Sequence, residues 1–213
     1  IADLYTGATE ASVLVTTGGA EANFTAFWEL MEPGTSVAVM LPNYMQIPGL
    51  LESFGAHIHP FHLVEENGWQ PNLNELEKGL RDGARFILIT NPNNPTGAVL
   101  DDTSVSGIVE LADRHGAWIL ADEVYRGAEL SGPDTPSFWG LDDRALVPNS
   151  LSKAYGLPGL RIGWVVGTAE MMETLWGRTD YTSITPASLS DVLARVALEP
   201  VTRLKILART REI

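Results

Sequence analysis

The 213-residue chain contains no cysteine. That excludes disulfides, thiol nucleophiles and cysteine-ligated metals together, and it leaves the redox compartment open. Basic residues are scarce: 14 Lys plus Arg stand against 27 Asp plus Glu, a net charge of −13 at pH 7. A phosphate backbone would be repelled over most of such a surface, which excludes nucleic acid as an ordinary partner. Long apolar runs are missing as well. No stretch approaches the roughly 20 residues that a membrane-spanning helix needs. The opening residues, IADLYTGATE, have neither the basic region nor the apolar core of a signal peptide, so the cytoplasm is the expected compartment. The chain starts without methionine and ends at RTREI inside a helical pattern, without a glycine or proline stop. A fragment of a longer protein is therefore expected.

What is present is ordinary globular material, 45% hydrophobic and 19% charged, enough for the core of one domain. Seven short runs read as strands: SVLVT (12–16), SVAVML (36–41), HIHPFHL (57–63), RFILIT (85–90), AWILA (117–121), ALVPNS (145–150) and RIGWVVG (161–167). Several are nearly continuous in Val, Ile and Leu, as in strands buried on both faces. Helical patterns separate many of them, at Ala20–Met31, Asn74–Arg81 and Thr103–His115. Met171–Trp176 and Ser188–Ile213 come after the last strand, the long one kinked or divided at Pro200. The alternation predicts an α/β fold, with a mainly parallel sheet between two helical layers.

In a parallel sheet the residues just after each strand share the carboxyl edge, where open α/β sheets bind ligands. Here that edge collects Thr17-Gly18-Gly19-Ala20, Pro42-Asn43-Tyr44, NPNNPTG (91–97), Asp122-Glu123-Val124-Tyr125 and Ser152-Lys153. Arg161, placed at the start of the seventh strand, joins them only if that strand runs antiparallel. Gly18 and Gly19 precede a helix whose free N–H groups and positive dipole end suit an anion. Asp122 closes an apolar run, and a carboxylate there is expensive without a partner such as a protonated ring nitrogen. Lys153 is one of only three lysines, with Lys78 and Lys205, and suits a Schiff-base amine whose charge is influenced by a cation such as Arg161. One amide among Asn91, Asn93 and Asn94 could be held by the proline-rich turn toward a ligand oxygen. Tyr44 could stack on a planar ring, and Tyr125 could reach the same ligand as Asp122.

Taken singly, a turn, a helix cap, a salt bridge or a solvated lysine accounts for each of these residues. Jointly they describe a site for a phosphorylated aromatic aldehyde with a ring nitrogen, which is pyridoxal phosphate. His57, His59 and His62 lack nearby cysteines and spaced carboxylates, so a strand carrying ordinary histidines is expected and no metal.

NPNNPTG, ADEVYRG and SLSKAYGLPGLRIGW resemble, in order, the signature segments of the class I/II aminotransferases, the fold-type-I pyridoxal-phosphate enzymes. The resemblance implies a three-layer large domain whose seven-stranded sheet has its last strand antiparallel. It also implies an amino acid and a 2-oxo acid as substrates, and a homodimer. In it, Lys153 is the Schiff-base lysine that also moves the substrate proton. Asp122 keeps the ring nitrogen protonated, making the ring an electron sink. Tyr125 and Asn94 hold the ring's phenolate oxygen, and Tyr44 stacks on the ring. Gly18, Gly19, Ala20, Ser150, Ser152 and Arg161 bind the phosphate. A cis peptide is implied before Pro95 and, less regularly, before Pro42.

Residues 1–213 thus match the cofactor-binding large domain. The family's N-terminal arm and C-terminal small domain, with its carboxylate-clamping arginine, are absent, and 188–213 corresponds to the connecting helix. Without that clamp, little or no activity is expected of these residues alone. Two other readings stay open. One is different pyridoxal-phosphate chemistry (lyase, racemase, decarboxylase or cyclase), toward which DYTSITPASLS (180–190) departs from the commonest pattern. The other is an aminotransferase-like sensor domain of a transcription regulator.

Overall fold

A computed structural model describes residues 1–212. Its strands are β1 (Val13–Thr16), β2 (Ser36–Leu41), β3 (His57–Val64), β4 (Gln70–Pro71), β5 (Phe86–Thr90), β6 (Trp118–Asp122), β7 (Ala145–Ser150) and β8 (Gly163–Val166). The helices are α1 (Gly19–Leu30), α2 (Gln46–Ser53), α3 (Leu73–Arg81), α4 (Asp102–His115), α5 (Ala169–Thr179), α6 (Ser188–Leu198) and α7 (Pro200–Glu212). All strands join one sheet in the order β1-β8-β7-β6-β5-β2-β3-β4. The contacts among β7, β6, β5, β2 and β3 are parallel, while β8 runs antiparallel to both β1 and β7.

Both sheet faces are buried, and the period of two sorts their side chains. Val37 and Val39, Leu88, Leu120, Leu146 and Val165 face one core, shared with Ala22, Ala26 and Phe27 of α1, Leu51 of α2 and Leu175 of α5. Their neighbours Ala38 and Met40, Ile87 and Ile89, Ile119, Val147 and Trp164 face the other, shared with Leu76 of α3, Ile108 of α4, Ala194 of α6 and Leu207 of α7. The three-layer α/β/α architecture with a reversed last strand is as the sequence predicts.

Three details differ. The sheet has eight strands rather than seven, because the two-residue β4 adds an antiparallel edge to β3. Arg161 is not on the last strand: it has left-handed dihedrals (φ 50°, ψ 47°) and closes a 3-10 turn at 158–160, so β8 starts two residues later. Helix α2 was not legible in QIPGLLES, whose Pro48 and Gly49 read as breakers. The division at Pro200 is present, with Glu199 extended (φ −56°, ψ 137°) between α6 and α7. The peptide bonds before Pro42 and Pro95 are cis, as is a third, before Pro92.

One backbone contact sets the sheet's edge geometry. Gly163 pairs with Thr16 of β1 on one side and Ser150 of β7 on the other, while its Cα packs on the Gly18–Gly19 peptide. A Cβ at 163 would stand 2.5 Å from Gly19 N and 2.7 Å from Gly18 O, backbone atoms that cannot swing away. Gly163→Ala is expected to destabilise the protein by about 1–3 kcal/mol through overpacking. Gly177→Ala, in α5 with open space around it, is expected to stabilise by about 0.5–1 kcal/mol. Urea midpoints of the two variants, moving in opposite directions from wild type, check this.

Candidate active site

The anion pole is built where β1 meets α1. Thr16 Oγ1 donates to Gly18 O (3.1 Å), and Thr17 N donates to Glu21 Oε2 (2.5 Å), which folds the chain tightly into the helix. Gly18 caps α1 at φ 92°, a conformation that side chains rarely adopt, and a Cβ there would collide with the Arg161 guanidinium. Glu21 N and Ala22 N both bond to Gly18 O (3.1 and 3.2 Å). The N–H groups of Gly19 and Ala20 take no acceptor among the described residues, as expected of a helix's first turn. Ser150 at the end of β7 is buried, and its Oγ accepts from Ser152 N (3.2 Å), leaving its own proton to donate. Arg161 reaches this place because β8 is reversed, and its Nη1 donates to Pro158 O (3.0 Å).

The acid pole lies at the end of β6. Asp122 is 3% exposed; its Oδ1 accepts from Val124 N (3.0 Å) and its Oδ2 from Asn23 Nδ2 (2.8 Å). Burial pushes its carboxyl above the ordinary aspartate range, and the Asn23 and Val124 donors oppose the shift. No cation pairs with it among the described residues. A buried carboxylate with only neutral donors can accept a cationic group.

One cavity of about 220 Å³ joins the two poles. It is lined by Gly19, Ala20, Tyr44, Asn94, Asp122, Tyr125, Ser150, Ser152, Lys153 and Arg161, so every residue to which the family resemblance gives a cofactor role lines it except Gly18, which forms the turn behind. Lys153 is exposed, with Nζ 5.9 Å from the centroid of the Tyr125 ring. Tyr44 is 39% exposed. The three asparagines separate by role. Asn91 Oδ1 accepts from Leu100 N (3.0 Å). Asn93 Nδ2 donates to Pro42 O (3.1 Å), and its Oδ1 accepts from Thr96 Oγ1 (2.8 Å). These two hold the loop, and Asn94 faces the cavity.

Val124, placed at the edge beside Asp122, also lines it, and sequence reasoning missed Asn23, Gln46, Thr90 and Pro158, which do so too. For Asn23 a signal existed: a polar residue on the buried stripe of α1, beside Ala22, Ala26 and Phe27. The histidines stand apart, His62 Nδ1 lying 2.9 Å from Glu75 Oε2. Among the described residues no group of three His, Cys, Asp or Glu could hold a metal ion.

Behind the cavity, Glu123 is fully buried. Its Oε1 accepts from Ser137 Oγ (2.9 Å) and Phe138 N (2.7 Å), while Oε2 has no hydrogen-bond partner and lies 3.9 Å from Arg126 Nε. Burial, opposed chiefly by Arg126, pushes its carboxyl from the ordinary 4.5 up to about 7. Tyr5 closes the cluster. Its hydroxyl accepts from Trp164 Nε1 (2.9 Å) and Asn149 Nδ2 (3.2 Å), and burial together with Glu123 pushes the phenol upward.

The family model described as aminotransferase class I and II matches residues 1–211, and the chain belongs to that family. It is 35% identical over 187 residues to capreomycidine synthase of Streptomyces vinaceus, covering 88% of this chain and 48% of that protein. It is 32% identical over 167 residues to arginine–pyruvate transaminase of Pseudomonas aeruginosa, covering 77% of this chain and 42% of that one. The chain thus spans about half the length of the curated relatives it matches. A crystal structure of a PLP-dependent aminotransferase from Streptococcus suis superposes over 100% of this chain and 56% of its own, with a TM-score of 0.92 at 40% identity. The fold is shared more distantly with a Thermus thermophilus aspartate aminotransferase mutant (TM-score 0.90, 23% identity, 96% of this chain and 54% of that one).

Glu123 makes stability pH-dependent. Its folded-state value is raised, so between pH 4.5 and about 7 the folded protein binds more protons than the unfolded chain, and stability falls as pH rises through that window. The loss from this group approaches about 3 kcal/mol by pH 8 at full shift. In Glu123→Gln the amide oxygen keeps the Ser137 and Phe138 bonds without a titrating proton. Urea denaturation from pH 5 to 8 is expected to show wild type losing stability against this variant.

Proposed function

We propose that this family member binds pyridoxal 5′-phosphate in the carboxyl-edge cavity and uses it to move an amino group between an amino acid and a 2-oxo acid. The observation that carries the reading is the pairing of two unlike poles in one cavity. The uncapped start of α1 with Ser150, Ser152 and Arg161 suits a phosphate, and the buried Asp122 carboxylate, lacking any cation, suits a protonated ring nitrogen. The donor set therefore fits the cofactor. When bound, the cofactor supplies a carbonyl carbon that takes up the substrate amine and a ring that withdraws electron density from the substrate Cα.

The chain's own residues divide the remaining work. Lys153 would hold the cofactor through Nζ and would take and return the substrate proton at that nitrogen. Asp122 keeps the ring nitrogen protonated. Tyr125 and Asn94 hold the ring oxygen, and Tyr44 covers the ring face. Gly18, Gly19 and Ala20 with Ser150, Ser152 and Arg161 bind the phosphate. Residues 1–213 are the cofactor-binding large domain in this reading, and the remainder of the protein supplies the group that grips the substrate carboxylate. A cytoplasmic homodimer completes it; the exposed Leu189, Val192, Leu193 and Val196 of α6 support burial against further protein.

A second reading keeps the cofactor and residue roles but changes the reaction to another amino-acid conversion, such as a cyclisation. It is supported by the 35% identity to a protein named capreomycidine synthase.

Borohydride reduction of the complete, cofactor-loaded protein tests the core of the proposal. The peptide bearing Lys153 is expected to gain the reduced cofactor's mass. Lys153→Ala is expected to lose it, with turnover falling by about 10²–10⁴-fold. Equal labelling of the variant at the same peptide would refute the assignment. Product formation that requires a 2-oxo acid acceptor supports transamination, and product formation without one supports the second reading.

A further inference from the structure

Asp122 does not stand alone in the core. Asn23, on the buried face of α1, is 1% exposed and gives both amide protons away: Nδ2 lies 2.8 Å from Asp122 Oδ2 and 3.3 Å from Gln46 Oε1. Gln46 in turn donates through Nε2 to Ala20 O (2.9 Å) in the first turn of α1. The orientation of the Asn23 amide is forced, because the flipped form would set Oδ1 against the carboxylate. In the orientation that results, Oδ1 is buried without a partner. An unpaired buried acceptor disfavours an asparagine here on packing grounds alone. The bond to Asp122 is what the residue gives in return.

We infer that Asn23, anchored by Gln46, is the positioning residue that aims the Asp122 carboxylate at the cofactor's ring nitrogen and holds it in the anionic form. The inference rests on the proposed function, since it concerns what Asp122 meets in the cavity. The groups around Asp122 are Asn23 of α1, Gln46 of α2 one step further out, and the Val124 N–H and Glu123 side chain beside it. Lys153, Tyr44, Tyr125 and Arg161 are the ionisable groups on the other cavity walls. Neither donor to the carboxylate titrates. Its aim and charge are therefore set by an amide and a peptide N–H whose strength does not change with pH.

The test uses the complete protein loaded with pyridoxal phosphate and follows two quantities: the dissociation constant of the cofactor, and the pH midpoint at which its visible absorption band titrates. Losing the amide makes Asp122 more basic, so it draws the proton away from the ring nitrogen. The less positive ring lets the Lys153-bound nitrogen keep its own proton to higher pH. Asn23→Ala is expected to raise the midpoint by at least about half a unit and to weaken cofactor binding several-fold, a loss of the size a hydrogen bond to a charged group supports. Asn23→Asp has the same shape but can donate only when protonated. It is expected to resemble wild type at acidic pH and to depart from it as pH rises. Gln46→Leu, cutting the outer link, is expected to shift the midpoint the same way by less.

Asn23→Ala and Asn23→Asp that fold and load, yet titrate within about 0.2 units of wild type, overturn this inference alone. If Asn23→Ala does not fold, Asn23→Asp decides by itself. A wild-type protein that takes up no pyridoxal phosphate overturns the proposed function and this inference with it.

Discussion

The site depends on a backbone contact that contains no side chain: Gly163, at the start of the reversed strand, packed on the Gly18–Gly19 peptide. With Thr16 and Ser150 both in register with Gly163, three strand ends are locked at one level. That level places the first turn of α1 beside the end of β7 and delivers Arg161 from the turn just before β8. A parallel final strand would have carried the arginine to the opposite edge of the sheet. Glycine is favoured on both sides of the contact, at Gly18 by its positive φ and at Gly163 by the backbone atoms a Cβ would strike.

On that frame, the charges are distributed by solvation. Arg161 and Lys153 are exposed, where water solvates a cationic head at little cost. Asp122 is buried, where an unpaired carboxylate is unfavourable and its proton affinity rises. Val124 N–H and Asn23 limit that penalty without removing the charge. The two ends are thus unequal: the guanidinium and amine stand in water, while the carboxylate is held in the dry interior by neutral donors alone. Glu123, one residue further on, uses burial differently. It faces Ser137, Phe138 and Arg126 rather than the cavity, and it fastens the 137–138 segment behind the site.

Much of this was legible in the sequence, for a physical reason. Strands buried on both faces must be apolar throughout, so FILIT, WILA and SVAVML announce themselves, and in a parallel sheet the residues just beyond such strands must share an edge. The features that were not legible depend on geometry that composition does not carry. Arg161 reads as the first residue of an apolar run, and only its left-handed dihedrals remove it from the strand. In NPNNPTG composition offers three equivalent amides; the family resemblance points to Asn94, and the closing bonds of Asn91 and Asn93 leave that amide as the one lining the cavity. Gln46 sits in a helix disguised by Pro48 and Gly49. Asn23 stands out as a polar residue on the buried stripe of α1, but its partner, 99 positions away in sequence, is not legible there.

The same geometry explains why an amide rather than an acid or a base serves beside Asp122. A second carboxylate there would share a proton with the first and weaken its charge, since two acids in one dry site cannot both ionise. A lysine or arginine would pair with Asp122 internally and leave no uncompensated charge on the cavity wall. A neutral donor does neither: it lowers the cost of the anion while leaving its charge uncompensated. Asn23 also gives its second proton to Gln46, which bonds back to Ala20, so the donor to the acid pole is tethered to the first turn that forms the anion pole. The two ends of the cavity are then set in mutual position by one hydrogen-bonded path through α1 and α2 as well as by the sheet beneath them.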